Sequence, residues 1–286
     1  MRYIFVSAWR LRKRNMALLL VLICLATLGV SLWQEQLAQG EIIALAPVLK
    51  DRVIVIDPGH GGVDPGAVGR NKTLEKDITL EVAKRLALVI SQSGAAVILT
   101  RDVDNDLSDP EVKGLLAKKR QDLKRRVDIA NERGAEVYLS IHVNSYPSAS
   151  LTGAQTFYQS GQQGGKVLAE AIQDELRRVL KNTTRVSKGM DFYTNRVTRM
   201  PSATVEIGFM SNPEEEKLLS DSNYQNKVVW GIYVGVIRYF AQAQKSGEGQ
   251  GGMGEKPTGG STTTDGVPPT EPSDETDAKL GEPPGP

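Results

Sequence analysis

Cysteine and histidine are both scarce in this sequence, which contains one cysteine and two histidines among 286 residues. A single cysteine excludes an intramolecular disulfide and any cysteine-rich zinc or iron–sulfur site. Any metal site must therefore use few histidines and recruit carboxylates. The two histidines, His60 and His142, are accordingly the first residues to consider as ligands.

An excess of charge of either sign is also missing. Lys and Arg number 35 and Asp and Glu number 34, a net charge of +1, so the composition gives no support to nucleic acid as a partner. The charge is nevertheless uneven, because residues 246–286 carry eight acidic and two basic residues and hold 7 of the 14 prolines. That segment has no aromatic residue and cannot bury enough apolar surface to fold, so we predict a disordered Gly/Pro-rich acidic tail over residues 244–286.

An uncharged apolar stretch at residues 16–33 follows a basic segment at residues 1–15. As a helix it would be about 27 Å long, close to the thickness of the hydrocarbon core of a bilayer. We interpret it as a transmembrane anchor or an uncleaved signal, with the basic flank in the cytoplasm and the rest of the chain outside. A cleaved signal peptide is the alternative. Residues 34–50 are predicted to be a connector.

Residues 51–243 alternate between short apolar runs and amphipathic segments. Strands that alternate with helices indicate βαβ units, so we predict a single α/β domain with a largely parallel sheet and helices on both faces. Residues 107–119 are polar and irregular, and we place the next helix at about 123–134. The predicted strands are 53–56, 96–99, 137–141, 155–158 and 204–207.

Both histidines follow predicted strands. His60 lies in a Gly-rich loop after the first strand, and His142 follows the third strand. Since sites in open α/β sheets form beyond the carboxyl ends of strands, the two can meet if their strands are neighbours. The loop does not fit a nucleotide-binding pattern, because position 64 is Asp where a glycine is required. Its glycines are expected to allow a sharp turn and leave room for a ligand.

Zinc hydrolases bind their metal through three protein ligands, and two histidines with one glutamate is a known set. Two carboxylates near His60 compete for the third position, Glu75 and Asp64. Glu75 precedes a predicted helix, where it could also serve the helix dipole. By position alone the two are close rivals.

Glu206 is charged within an otherwise apolar strand, residues 203–209. A buried, unpaired carboxylate costs several kcal/mol or is forced to bind a proton. A structural ion pair with an arginine is the alternative, but a catalytic or metal-binding role is favoured.

Four segments of the chain resemble the motifs of the zinc-dependent N-acetylmuramoyl-L-alanine amidases, and the resemblance covers residues 52–242. A closer resemblance, to the germination-specific amidases of endospore formers, is carried by residues 75–83, 172–178 and 182–185. The four motif segments are Asp-Pro-Gly-His-Gly-Gly at 57–62, Leu-Glu-Lys at 74–76, Ser-Ile-His-Val-Asn at 140–144 and Val-Glu-Ile-Gly-Phe-Met-Ser-Asn at 205–212.

The resemblance implies one zinc ion bound by His60, Glu75 and His142, which decides the rivalry in favour of Glu75. It implies Glu206 as the catalytic carboxylate and a mixed sheet as the core of the catalytic domain. The implied substrate is peptidoglycan, cut between the N-acetylmuramic acid and the L-alanine of the stem peptide. In spore cortex this cleavage would precede formation of muramic-δ-lactam by a separate deacetylase.

The same resemblance places the catalytic domain outside the cytoplasm, at the forespore membrane or cortex, with an accessory protein as a possible partner. Asn144 could hydrogen-bond substrate or cap its loop, and Arg101 could bind a stem-peptide carboxylate or form a structural ion pair. Three other functions compete with an amidase. They are another zinc peptidoglycan hydrolase (a carboxypeptidase or a deacetylase), a non-catalytic wall-binding protein, and a membrane-anchored interaction protein that works through its tail.

Overall fold

The computed structural model describes residues 15–30, 33, 40 and 45–250, the last six by their backbone alone. The chain divides into two compact units, residues 1–46 and residues 47–286. The disordered tail predicted over residues 244–286 differs from the structure at its start, because residues 244–250 are helical and belong to a helix over Ser222–Gln250. The tail from residue 251 onward lies outside the described residues, as do the basic flank up to residue 14 and most of the connector.

The first unit contains one helix, α1 (residues 15–30), within its described part, and the side chains of this helix are exposed. It covers most of the apolar stretch at 16–33, of which residues 31 and 32 lie outside the described residues. In the described parts of the chain, none of the helices combines the length and the apolar character needed to cross a membrane.

The second unit is built on one sheet, as predicted from the alternation of apolar and amphipathic segments. All neighbouring strands in this sheet are parallel except one pair, in which the fourth strand runs antiparallel to the sixth. Its described strands are β1 (Val53–Pro58), β2 (Ala96–Leu99), β3 (Val137–Asn144), β4 (Gln155–Tyr158), β5 (Lys188–Gly189) and β6 (Ser202–Phe209), in the spatial order β2-β1-β3-β6-β4-β5.

Helices connect these strands and complete the α/β fold. A short 3-10 helix over Ala46–Leu49 leads into β1. The α-helices of the second unit are α2 (Glu75–Gln92), α3 (Leu115–Glu132), α4 (Gln163–Leu180), α5 (Tyr193–Val197), α6 (Pro213–Leu219) and α7 (Ser222–Gln250).

The two faces of the sheet are covered by different helices. Val55 and Tyr138, register partners on β1 and β3, pack against Ala130 of α3, and α5 contacts α3 on this side. On the opposite side α2 and α4 both pack against α7. Because side chains alternate along a strand, residues two apart share a face. Ser140 and His142 therefore lie on the same side as Tyr138, facing α3 and α5.

The structure corrects the sequence prediction at one helix. We predicted an irregular segment over residues 107–119, but α3 begins at Leu115. The apolar periodicity of α3 is weak because two of its buried positions are Asp122 and Arg126, while Leu115 and Leu116 are exposed. Three short elements, β5, α5 and α6, were not predicted.

Candidate metal and catalytic centre

His60 sits in a tight turn directly after β1. Its backbone adopts a left-handed conformation, with φ of 62°, and Gly61 and Gly62 also have positive φ. Such a conformation is unfavourable for a residue other than glycine and persists where its surroundings impose it. Here the carbonyl oxygen of His60 accepts a hydrogen bond from Nη2 of Arg126 at 2.7 Å, which holds the turn in place.

Gly59 makes room for the second histidine rather than for a ligand, which differs from the sequence expectation. A β-carbon at this position would overlap the imidazole ring of His142. The rings of His60 and His142 lie edge to face, 5.0 Å apart between centroids. The parallel pairing of β1 with β3 thus brings together two residues that are 82 positions apart in the sequence.

Glu75 completes a cluster with the two histidines. Its Oε1 lies 3.3 Å from Nε2 of His60 and 3.0 Å from Nδ1 of His142. Among the described residues these three form a group whose potential ligand atoms all lie within 4.8 Å of one another. Zinc with four ligands at ~2.1 Å separates neighbouring ligand atoms by about 3.4 Å. The distances to Oε1 and the set of donors therefore fit a zinc site.

Backbone amides fix the carboxylate of Glu75. It is the first residue of α2 and is buried, and its Oε1 accepts from the amide of Val143 while its Oε2 accepts from the amide of Ala67. Burial would raise the pKa of Glu75, but the two histidines hold it well below its ordinary value. The side chain therefore presents a charged oxygen to the cluster and does not cap its own helix.

Asp64, the rival for the third position, lies behind His60. Its Oδ2 is 2.9 Å from Nδ1 of His60, the ring nitrogen that faces away from Glu75. Burial alone would lower the pKa of His60, but Glu75 and Asp64 together raise it to about 9. Asp64 therefore orients the ring, as carboxylates behind metal-binding histidines commonly do.

Glu206 lies beside this cluster in one row of side chains across the sheet. On β6 it is the register partner of His142 on β3, and on its other side it pairs with Gln155 on β4. Glu206 is buried, and its Oε2 has no hydrogen-bond partner among the described residues. Burial and the neighbouring charge of Glu75 raise its pKa well above the ordinary value, although His60 opposes the shift.

A buried ionic network centred on Arg126 stabilises the His60 turn. Arg126 is 1% exposed and donates to Asp57, Asp122 and the carbonyl oxygens of Pro58 and His60. Burial would raise the pKa of Asp57, but Arg126 together with two hydroxyl donors keeps it well below its ordinary value. Sequence analysis missed this network, because a charged residue on a helix ordinarily indicates a solvated surface.

The two predicted substrate contacts have different outcomes. Asn144 is buried after an irregularity in the pairing of β3 with β6, and its Oδ1 has no partner among the described residues. Arg101 is 3% exposed, and its guanidinium donates to the carbonyl oxygens of Pro58, Gly59 and Lys76. These contacts hold the Arg101 side chain against the loop and do not support the predicted contact with a stem-peptide carboxylate, which stays a prediction.

A cavity of about 70 Å³ opens over the cluster. Its floor includes His60, His142 and Glu206, and its walls include Lys119 of α3 and the aromatic residue Phe192. Ligand pockets usually enclose about 300–1,000 Å³. The cavity is thus large enough for a single amide group, and any larger substrate must extend over the surrounding surface.

Comparison with known proteins places these residues in a family. The sequence profile of the family described as N-acetylmuramoyl-L-alanine amidase matches residues 54–238. The germination-specific N-acetylmuramoyl-L-alanine amidase of Bacillus subtilis is 47% identical over 195 residues, which cover 68% of this chain and 82% of that protein.

Solved structures of amidases are also similar to this chain. The CwlD amidase from Clostridioides difficile, in complex with the GerS lipoprotein, superposes with a TM-score of 0.66 at 41% identity, over 67% of this chain and 100% of that one. The catalytic domain of CwlV, an N-acetylmuramoyl-L-alanine amidase from Bacillus (Paenibacillus) polymyxa, gives a TM-score of 0.59 at 34% identity, over 66% of this chain and 98% of that one.

Proposed function

Since this chain belongs to the N-acetylmuramoyl-L-alanine amidase family, we propose that it is a zinc-dependent enzyme that hydrolyses the amide bond between N-acetylmuramic acid and L-alanine in peptidoglycan. The observation that carries the proposal is the buried carboxylate of Glu206, whose Oε2 has no hydrogen-bond partner among the described residues, beside the His60, Glu75 and His142 cluster. A charged group in such a position is rarely retained for packing, and active sites are where such groups occur.

One zinc ion would be held by Nε2 of His60, Oε1 of Glu75 and Nδ1 of His142, the atoms that converge in the cluster. When bound, such an ion polarises the scissile carbonyl group and lowers the pKa of a coordinated water toward about 7. The protein fixes these ligands before binding, since amides hold Glu75, Asp64 holds His60, and Gly59 leaves space for the ring of His142.

Glu206 acts as the general base and then as the general acid. Its free Oε2 accepts the proton of the attacking water, and the resulting carboxylic acid donates that proton to the departing nitrogen of L-alanine. A raised pKa suits this exchange, because the protonated and ionised forms become closer in energy. Glu206 lies next to His142 because β6 pairs directly with β3 and the two residues are register partners.

The test is Glu206→Gln, which keeps the shape of the side chain and removes its basicity. We expect hydrolysis of purified peptidoglycan to fall by roughly 10²–10⁴-fold, while zinc content, measured by atomic emission, stays at one ion per chain. Glu214→Gln, on the exposed face of α6, is the matched control and should behave as the wild type. Undiminished cleavage by Glu206→Gln at full zinc occupancy would refute the assigned role.

Product analysis separates the amidase from its alternatives. Mass spectrometry should reveal a new N-terminal L-alanine on the released peptide. Loss of a terminal peptide residue would identify a carboxypeptidase, release of acetate would identify a deacetylase, and binding to peptidoglycan without any product would indicate a wall-binding protein. Chelation should abolish the cleavage and added zinc should restore it.

We further propose that the catalytic domain works outside the cytoplasm, on spore cortex, and that an accessory protein assists it. The likeness to a germination-specific amidase supports the cortex, and a CwlD structure that contains a lipoprotein supports the partner. Digestion of cortex and of vegetative peptidoglycan side by side tests the first point. Equal rates on the two substrates would count against a cortex-specific role.

A further inference from the structure

A second groove lies on the same edge of the sheet as the candidate centre. Its volume is about 440 Å³, within the usual range for ligand pockets. It is formed where the segment after α4 passes the segment before β4. The lining residues are Thr152, Lys181, Asn182, Thr183, Thr184 and Arg185.

The groove adjoins the row that carries the catalytic carboxylate. Gln155 on β4 is the register partner of Glu206, and directly paired residues face the same side of a sheet. Oε1 of Gln155 accepts from Nη1 of Arg185 at 3.2 Å. Adjacent strands are about 4.8 Å apart, and Arg185 precedes β5, which is two strands away from β6. The groove therefore begins roughly 10 Å from Glu206.

The lining has the chemistry of an anion site. The lining contains two cations, Lys181 and Arg185, and no carboxylate, while the nearby carboxylate of Glu215 is buried and accepts a hydrogen bond from Nδ2 of Asn182. Three threonines also line the groove, and the hydroxyl of Thr183 donates to the carbonyl oxygen of Ala154. The Oδ1 atom of Asn182 is buried and lacks a hydrogen-bond partner among the described residues, so it can accept from an N–H group of a ligand.

Contacts with buried residues and with the backbone fix the side chains that line the groove. The guanidinium of Arg185 lies 4.9 Å from the centroid of the Phe209 ring, and its Nε donates to the carbonyl oxygen of Thr152. The buried carboxylate of Glu215 accepts from the amide of Gly153 and from Nδ2 of Asn182. A site fixed in this way loses little conformational entropy when it binds.

We propose that this groove is a substrate subsite that binds a free carboxylate of the stem peptide through Lys181 and Arg185, with Asn182 accepting a peptide N–H. An extended peptide advances about 3.3–3.6 Å per residue, so the bound carboxylate belongs to about the third residue from the scissile bond. The subsite rests on the proposed amidase function. It would bind the stem-peptide carboxylate for which the sequence analysis suggested Arg101.

The test compares two soluble substrates, a disaccharide tripeptide with free peptide carboxylates and the same compound with those carboxylates converted to primary amides. We expect the double variant Lys181→Gln, Arg185→Gln of the full chain to raise KM for the free acid by about tenfold or more, with kcat unchanged. KM for the amidated substrate should stay within about twofold of the wild type. Lys84→Gln, an exposed lysine on α2, is the matched control.

Lys181→Gln alone guards against a folding defect, because Lys181 is exposed and ends α4. It should raise KM for the free acid by a smaller factor and spare the amidated substrate. Equal effects on the two substrates, or no change in KM, would overturn the subsite.

A wild-type enzyme that cleaves neither substrate would overturn the proposed function instead. The groove is then judged by calorimetric binding of the free tripeptide to the wild type and to the double variant. If the double variant binds the free tripeptide about tenfold more weakly than the wild type, the subsite is supported even without amidase activity. If the two proteins have the same Kd, both the subsite and the amidase function are overturned.

Discussion

Replacing Arg126 with methionine would remove the cation at the centre of the buried network. The guanidinium donates to Asp57, Asp122 and two backbone carbonyls, and both carboxylates are buried. Removing one partner of a buried ion pair costs about 3–5 kcal/mol, because the remaining charge stays desolvated. For a domain of about 200 residues this lowers Tm by roughly 6–20 °C.

The loss of stability should grow with pH. In the wild type the pKa of Asp57 in the folded state lies well below its ordinary value. Ionised Asp57 therefore stabilises the fold fully at any pH above the ordinary, unfolded-state pKa of about 4. Without Arg126, burial dominates and raises the folded-state pKa above the unfolded one. The variant then loses stability as pH rises through about 4. The deficit relative to the wild type should therefore be larger at pH 7 than at pH 4.

Thermal unfolding followed by circular dichroism at the two pH values measures the effect. Arg125→Met is the matched control, since this neighbouring arginine forms a solvent-accessible ion pair with Asp109 and should cost at most about 1 kcal/mol. If Arg126→Met lost no more stability than Arg125→Met, or lost the same amount at both pH values, the network would not support the turn as described.

Substitutions at two further positions test how the proposed zinc ligands are held. Gly59→Ala places a β-carbon in the ring of His142, so zinc content measured by atomic emission should fall well below one ion per chain, and full occupancy would contradict the steric argument. Asp64→Ala removes the oxygen that orients His60, so competition with a chromogenic chelator should show about 10–100-fold weaker zinc binding. Asp64→Asn keeps an acceptor and should lose less, and equal affinities for all three proteins would show that Asp64 does not orient the ring.

The sequence was most informative where burial is continuous. The apolar runs of β1, β3 and β6 predicted their strands, and the position of His60 and His142 after two of them predicted that the histidines meet. β5 was missed because it has only two residues and neither is apolar. The short helix α6 had a signal that we overlooked, namely Asn212 followed by Pro213, which matches the capped start of a helix.

The supporting residues were harder to predict, because their roles depend on contacts between segments distant in sequence. Arg126 and Asp57 are 69 positions apart, and nothing in either local pattern indicates burial. Arg101 is the converse case, since a cation after a strand suggested a ligand contact, whereas in the fold its guanidinium donates to backbone carbonyls. Glu75 and Asp64 could not be separated by position, because both lie near His60. Only the side-chain directions show that Glu75 faces both histidines whereas Asp64 lies behind His60.

The proposed zinc ligands His60, in the turn after β1, and His142, on β3, become neighbours only through strand pairing, and this has a consequence for biogenesis. A chain in which these strands have not paired keeps its two imidazoles apart and has no preformed cluster, so metal uptake is coupled to completion of the sheet. Zinc loading would then report folding of the whole domain and not of any fragment. An unfolded chain in transit would remain inactive toward peptidoglycan until both events are complete.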